Sequence, residues 1–451
     1  MDYQSALEYF RDRSDYDRGF ISNPFAGDDA AAAGLTKTRR LLDELGSPDR
    51  AYPIIHVAGT KGKGSTCAFI ESVARACGNA TGLFTTPHLH TVRERIQISG
   101  AVISEEDWAS VTESVATAVA TVEREEPDLG RITAFEFNTA MALLHLAQSD
   151  VDLGIVEVGL GGRLDATNVV MPAVTVITPV SFDHQAILGD SLAEISIEKA
   201  GIIKPGVPVV VSPQEAEAMD SIGEVAADRN APVYRSGSEW HAGIHEGAIT
   251  LSGPWGTIRE ANIGLAGQHQ AMNAGAALMA LWLWQPELFG STERIREGLE
   301  GVRWPGRFET VRKTPPVIVD GAHNGASMET LAASLLDRYA GARFVVVFGS
   351  YVDKDLPAML AALSPLDPDI IATRSSSPRA RPSSDIDAAG KETGLRTIDR
   401  PDFSSAMSTA LEMAEHNTVI VATGSLSIVA EAREHLGLAE VSNVERAILS
   451  G

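Results

Sequence analysis

Uninterrupted apolar runs, each closed by glycine or a small polar residue, recur along this chain and alternate with segments of helical period. YPIIHVA at 52–58 is the first, followed by ATGLF at 80–84, LGIVEVG at 153–159, VTVIT at 174–178 and VPVVVS at 207–212. Between them, 105–123 and 135–147 space their apolar residues as helices do, and Ile70, Val73, Ala74 and Cys77 share one helical face after the first run. Strands that are apolar throughout and separated by helices predict a mostly parallel sheet covered on both faces. Residues 1–50 predict helix, with Leu35, Leu41, Leu42 and Leu45 punctuated by Gly46 and Pro48. The glycine-rich stretch 233–265 alternates in short runs and predicts a small antiparallel excursion, after which a helix over 270–284 returns to the core. A second series, PVIVDGAH at 316–323, ARFVVVFGS at 342–350, DIIATRS at 369–375 and TVIVATGS at 418–425, predicts a smaller doubly wound domain. WPGRF at 304–308 carries two helix breakers and reads as the connector.

Polar chemistry gathers where the apolar runs end. The stretch VAGTKGKGST at 57–66 lies between a strand and a helix, the setting of a phosphate-binding loop. Gly59, Gly62 and Gly64 let backbone N–H groups face an anion, Lys63 reaches toward the outer phosphates, and the helix start adds positive potential. The hydroxyl of Ser65 follows Lys63 by two residues where the commonest loop has one. The alternative is a glycine turn with a solvated lysine. Further strand ends carry Thr86 in TTPH, Glu157 at the head of EVGLGGRLDATN, His184 in SFDHQAILG, and Lys199 in EKAGIIKPG. A hydroxyl, a carboxylate and an imidazole beside phosphates suit Mg2+, although imidazole is the less typical partner. Each also has a plainer reading: Glu157 as a helix cap, His184 as a core histidine. His56, in mid-strand, reads as structural, and His88 as shaping its loop.

Composition narrows the class. At 451 residues, two domains are expected. A hydrophobic fraction of 44% with no run of eighteen apolar residues, and an amphipathic, charged start at MDYQSALEYFRDR, predict a cytoplasmic enzyme without a signal peptide. The net charge of −23 argues against nucleic-acid and anionic-membrane surfaces. Lysine is scarce, with eight among the 37 Lys and Arg residues, and four of them (Lys61, Lys63, Lys199 and Lys204) fall in motif-like stretches. Abundant Asp and Glu with little Lys resembles salt-adapted proteins. Cys67 and Cys77 lie ten residues apart on one helical segment, too far to pair, and read as buried free thiols.

GTKGKGS, GLFTTPHL, EVGLGGRLDATN, DHQAILG, EKAGIIKPG, GQHQAMNA, WPGRFE and DGAHN occur in the order found in folylpolyglutamate synthases and dihydrofolate synthases, of the muramyl-peptide-ligase-like superfamily. The resemblance spans about residues 34 to 433. Lys61 stands where that family usually carries Asn, and Thr86 where Ser is usual. It implies an α/β fold with a P-loop-type, mostly parallel N-terminal ATP-binding ligase domain over 1–303, a hinge at 304–308, and a Rossmann-like glutamate-ligase domain over 309–451. It implies that Gly59, Thr60, Lys61, Gly62, Lys63, Gly64 and Ser65 hold ATP phosphates, that Thr86, Glu157 and His184 ligate Mg2+, and that Lys199 is carried as a carbamate able to bind a second ion. Asn273, Arg307, Asp320 and His323 would reach the nucleotide, Asp320 through ribose hydroxyls and His323 near the phosphates or the incoming amino acid. Thr133, Ala134, Phe135 and Glu136, with Leu164, Asp165 and Ala166, match positions that contact the pterin.

The implied reaction is ATP-dependent amide formation between L-glutamate and dihydropteroate or a reduced folate through an acyl phosphate, by a monomer. Catalytic weight falls on Lys63, Glu157, His184 and Lys199. Plainer functional alternatives are a muramyl peptide ligase, against which GLFTTPHL and DHQAILG speak, and a P-loop NTPase without ligase activity, which leaves the second domain and its DGAHN unexplained.

Overall fold

The computed structural model describes residues 1–20, 28–245, 248–439 and 445. The chain divides into two compact units, one made of Met1–His88, Val92–Gly264 and Gln268–Arg303, the other of Leu89–Thr91, Leu265–Gly267 and Trp304–Gly451.

In the first unit the apolar runs become an eight-stranded sheet. Its strands are β1 (Ile54–Ala58), β2 (Thr81–Phe84), β3 (Ile96–Ile98), β4 (Ala101–Val102), β5 (Leu153–Glu157), β6 (Val174–Ile177), β7 (Val209–Val211) and β8 (Val233–Arg235), in the order β4-β3-β2-β5-β1-β6-β7-β8. All pairings from β2 to β8 are parallel, and β3 and β4 add an antiparallel hairpin at one edge. Strands β1, β5, β6 and β7 are buried at every position, because helices cover both faces. On one of those faces Ala58, Ile177, Val209 and Val211 pack with Ile195, Ile202, Ile203 and Ile222.

The stretch expected to be an antiparallel excursion divides in two. Its first residues form β8, which joins the main sheet in parallel; β9 (His241–His245), β10 (Ala248–Gly253) and β11 (Gly256–Ile258) then form a separate antiparallel sheet. Trp240, fully buried, donates its indole N–H to the Tyr234 carbonyl at 3.2 Å and lies against Gly275 of the helix Gln268–Trp284. The N-terminal helical expectation is met by Tyr3–Phe20 and Asp28–Glu44; residues 21–27 of it lie outside the described residues. Cys67 is a buried free thiol, but Cys77 closes its helix as the C-cap and is only half-buried. Burial along this helix stops at Ala74, and its last turn, with Cys77 after it, lies at the surface.

The second unit holds β12 (Glu309–Lys313), β13 (Pro316–Asp320), β14 (Arg343–Phe348), β15 (Asp369–Ala372), β16 (Arg396–Asp399) and β17 (Thr418–Thr423), in the order β12-β13-β17-β14-β15-β16. Only β12 runs antiparallel to its neighbour. Alternate residues of the central strands feed two cores: Ile318, Val346, Ile370 and Val421 enter one, Val317, Val345, Ile371 and Ile420 the other. Among the described residues no helix is long and apolar enough to cross a membrane.

Candidate active site

The glycine loop follows β1 and runs into the helix Lys63–Ala76, whose N-cap is Gly62 in a left-handed conformation, φ 84°. At Gly59 (φ 146°) a Cβ would collide with the Thr178 side chain, and at Gly62 it would meet Asn273 Oδ1, so both positions are closed to larger residues. The loop is also tied to the segment after β6: the N–H groups of Thr60 and Lys61 donate to the Pro179 carbonyl, and the Thr60 hydroxyl donates to the Ser181 carbonyl at 3.1 Å. Ser65 is buried within the first turn of the helix.

Two ammonium groups converge on one loop carbonyl. Lys63 Nζ donates to Gly59 O at 3.1 Å, and Lys199 Nζ donates to the same oxygen at 3.2 Å. Lys199 is buried at the end of the helix Leu192–Ala200, and burial, with the Lys63 charge next, brings its amine down to about 7. That helix begins with a capping box in which Ser191 and Glu194 satisfy each other's backbone N–H. Its last turn is clamped by the GGR turn of EVGLGGRLDATN: Gly162 lies against the carbonyls of Glu198 and Lys199, while Arg163 bonds both the Glu198 carbonyl and its carboxylate.

Glu157 ends β5, buried, and its Oε2 accepts the Thr86 N–H at 2.9 Å, which brings the TTPH turn to the strand end. The carboxylate therefore ties two strand ends together and caps no helix. His184 is not a core histidine either: it stands in a left-handed conformation as N-cap of the short helix Gln185–Leu188, with its side chain 46% exposed and Nε2 3.8 Å from Asp183. Asn273, buried, donates to Gln270 Oε1 at 2.9 Å and is brought to Gly62 from a helix two hundred residues along the chain.

Thr133 and Glu136 of TAFE form the capping box of the helix Ala134–Gln148. Lys37 lies 3.3 Å from Glu136 Oε1, and burial raises the Glu136 carboxyl above its ordinary value against that charge. Asp165 of LDA is buried and caps the turn Ala166–Val169, accepting Thr167 N–H at 3.0 Å and Leu160 N–H at 2.9 Å. Beside that turn a cavity of about 500 Å³ is lined by Leu35, Arg39, Arg40, Asn168 and Val169; Arg39 is paired with Asp49 and Arg40 with Glu126.

In the second unit, Asp320 ends β13 and accepts the N–H groups of Phe308 and Ala322, both at 2.8 Å. The following helix is capped by Asn324, so Asp320 is not its cap. His323 Nδ1 donates to the Gly321 carbonyl at 2.8 Å, and Arg307 bonds the Gly306 carbonyl at 3.4 Å.

Sequence reasoning missed Thr178, Gln214 and Gln270. Gln214 bonds both Val180 N–H and Thr178 O, bracing the segment that braces the loop. Thr178 and Gln214 sit in no glycine-rich or charged motif, and Gln270, although inside GQHQAMNA, is uncharged and carries no signal of its partner Asn273.

The chain matches the Mur ligase middle domain over residues 57–281 and the Mur ligase glutamate ligase domain over 306–426. It is 35% identical over 412 residues to the dihydrofolate synthase/folylpolyglutamate synthase of Bacillus subtilis, covering 89% of this chain and 95% of that one. The structure of Mycobacterium tuberculosis folylpolyglutamate synthase complexed with ADP aligns with a TM-score of 0.84 at 34% identity, covering 91% and 96% of the two chains. A Yersinia pestis bifunctional folylpolyglutamate synthase/dihydrofolate synthase, complexed with AMPPNP and a Mn ion, aligns at 0.79 and 30% identity, covering 90% and 93%.

Proposed function

Because this chain belongs to the folylpolyglutamate synthase/dihydrofolate synthase family of Mur-type ligases, we propose that it joins L-glutamate to dihydropteroate and to reduced folates, using ATP. The observation that carries the reading is the convergence of Lys63 and Lys199 on Gly59 O within a loop that admits only glycine at 59 and 62. Such a loop presents backbone N–H groups and a lysine to a polyphosphate.

The acid substrate's carboxylate attacks the γ-phosphate of ATP, and ADP leaves. Lys63 offsets charge on the phosphoryl oxygens as it moves. The neutral amine of L-glutamate then attacks the acyl phosphate, and the tetrahedral intermediate expels phosphate as the amide forms. Thr133 to Glu136 and Leu164 to Ala166 hold the pterin; Asn273, Arg307, Asp320 and His323 hold the nucleotide and the incoming amino acid.

Thr86, Glu157 and His184 would hold Mg2+. The buried Glu157 carboxylate, which accepts the Thr86 backbone N–H, supplies an oxygen donor of the kind a hard cation takes. When bound, the ion supplies charge neutralisation at the phosphates. We assign Lys199 as the carbamate: its amine attacks CO2 and loses a proton, turning a buried cation beside Lys63 into an anion able to hold a second ion. The protein acts as a cytoplasmic monomer.

The test is ADP release by purified protein with ATP, Mg2+, L-glutamate and each acceptor in turn. Glutamate-dependent release with both acceptors is expected; release with neither ends the folate reading, and release independent of glutamate favours a plain NTPase.

A further inference from the structure

His56 sits in the middle of β1, fully buried, between Val156 of β5 and Thr175 of β6. A histidine there needs a reason, since Ile55, Val57 and Val156 around it are aliphatic and burial of an imidazole is unfavourable unless its nitrogens are used. One is used: Nε2 lies 2.9 Å from Thr167 Oγ1. The same hydroxyl lies 2.5 Å from Asp165 Oδ1. Nδ1 has no partner.

These distances fix proton positions. Burial raises the Asp165 carboxyl above its ordinary value, but backbone N–H groups of Thr167 at Oδ1 and Leu160 at Oδ2, with that of Gly159, face its oxygens and favour the carboxylate form. The single proton of the Thr167 hydroxyl therefore points to Asp165. Its oxygen can then only accept from His56, which must carry its proton on Nε2. The partnerless Nδ1 is left as a bare lone pair, less costly to bury than an orphaned N–H. The alternative arrangement, with a protonated Asp165 and the proton of His56 on Nδ1, would orphan a buried donor and set an acid proton against backbone donors.

We infer that His56 is a positioning residue for the acid substrate: through Thr167 it orients the Asp165 carboxylate, and so the loop over 158–168 that follows Glu157 and carries Leu164, Asp165 and Ala166. The inference rests on the folate reading for its kinetic consequence, though its structural content does not. The loop's far side is already secured, by Asn168 Nδ2 on the carbonyls of Arg163 and Gly201 and by Lys204 on the Asn168 carbonyl. What His56 adds is the orientation of one side chain.

The experiment compares His56→Leu, which fills the space without a donor, with His56→Gln, whose amide N–H lies near the Nε2 position, and His56→Asn, whose amide lies near Nδ1. KM for dihydropteroate should rise about ten-fold in the Leu and Asn variants, the usual cost of losing a hydrogen bond linked to a charged group. KM for ATP and kcat should stay within about two-fold, and the Gln variant should match wild type. Equal increases in both KM values, or a Gln variant that behaves as Leu does, would overturn the inference. A second readout does not require turnover: long-range 1H–15N correlation on histidine-labelled full-length protein, with His56 assigned by its disappearance in His56→Gln. The Nε2–H tautomer is expected, with a changed signal in Thr167→Val; the Nδ1–H tautomer would refute the relay. Wild-type protein inert toward both acceptors would remove the folate reading and leave the tautomer to decide the relay alone.

Discussion

Lys63 and Lys199 share one carbonyl oxygen, yet burial acts on them differently. Lys63 begins a helix at a partly open loop, and on the proposed mechanism its replacement would remove a charge where phosphoryl oxygens gain one. Lys63→Ala should lose about 10²- to 10³-fold in kcat, the range for removal of a charge-stabilising donor, while circular dichroism stays native. Lys199, enclosed and close to Lys63, has an amine near 7, so its neutral form grows as pH passes from 6 to 8. In the proposed carbamylation only that neutral amine would attack CO2. Activity restored by bicarbonate to CO2-depleted protein should therefore increase across this window in wild type, and Lys199→Arg should show no bicarbonate response. His56 adds an acid limb to stability. Burial lowers its imidazole to about 3, below the 6.5 of the unfolded chain, so between those values the unfolded state binds the extra proton. Stability then rises with pH through this interval, by up to about 1.4 kcal/mol per unit. His56→Gln should flatten the urea-midpoint profile between pH 6 and pH 4; an unchanged slope would place the acid sensitivity elsewhere.

The elements that carry these residues differ in how they announce themselves. Strands β1, β5, β6, β14 and β17 are apolar almost throughout, because both faces are covered, and such runs are plain in a sequence. The edge strands are not. β12 (ETVRK) and β16 (RTID) expose charged residues on an uncovered side, and the β3–β4 hairpin ends in an exposed Ala-Val pair, so none has a period to detect. The candidate site divides similarly. Glycines, Lys63 and Glu157 are visible from their place at strand ends, whereas the approach of Asn273 to Gly62, of Thr178 to Gly59 and of Thr167 to His56 arises from packing between distant segments. The cap of the Lys199 helix offers a test at this scale. With nine residues, Leu192–Ala200 is too short to persist on its own, and the reciprocal bonds of Ser191 and Glu194 satisfy its opening N–H groups. Ser191→Ala should cost about 1 kcal/mol, read as a lower urea midpoint. It should also loosen the helix that presents Lys199, read as faster amide exchange over 192–200; unchanged exchange would assign that helix's order to the GGR clamp alone.

Across the whole molecule the chain carries 60 acidic residues against 37 Lys and Arg, a surplus of 23 negative charges. Few cations are left on lysine, and several of those are committed inside the first unit: Lys63 and Lys199 at the loop, Lys37 on Glu136, Lys204 on the Asn168 carbonyl. Arginines carry most of the ion pairs, such as Arg39 with Asp43 and Asp49, Arg40 with Glu44, Glu125 and Glu126, and Arg343 and Arg396 with Asp369. Salt acts on both terms with opposite sign. It weakens exposed ion pairs, each worth about 0–1 kcal/mol, and it relieves the repulsion among unpaired carboxylates, which sums over the whole surface. The Debye length falls from about 10 Å at 0.1 M to about 3 Å at 1 M, so most of the repulsive relief is gained within that range. With 23 uncompensated charges the repulsion should prevail. The melting temperature is expected to climb as KCl is raised from 0.1 to 1 M and to climb less steeply beyond it. A melting temperature that fell with salt would mean that the arginine pairs dominate, and that the acidic surface is no burden to the fold.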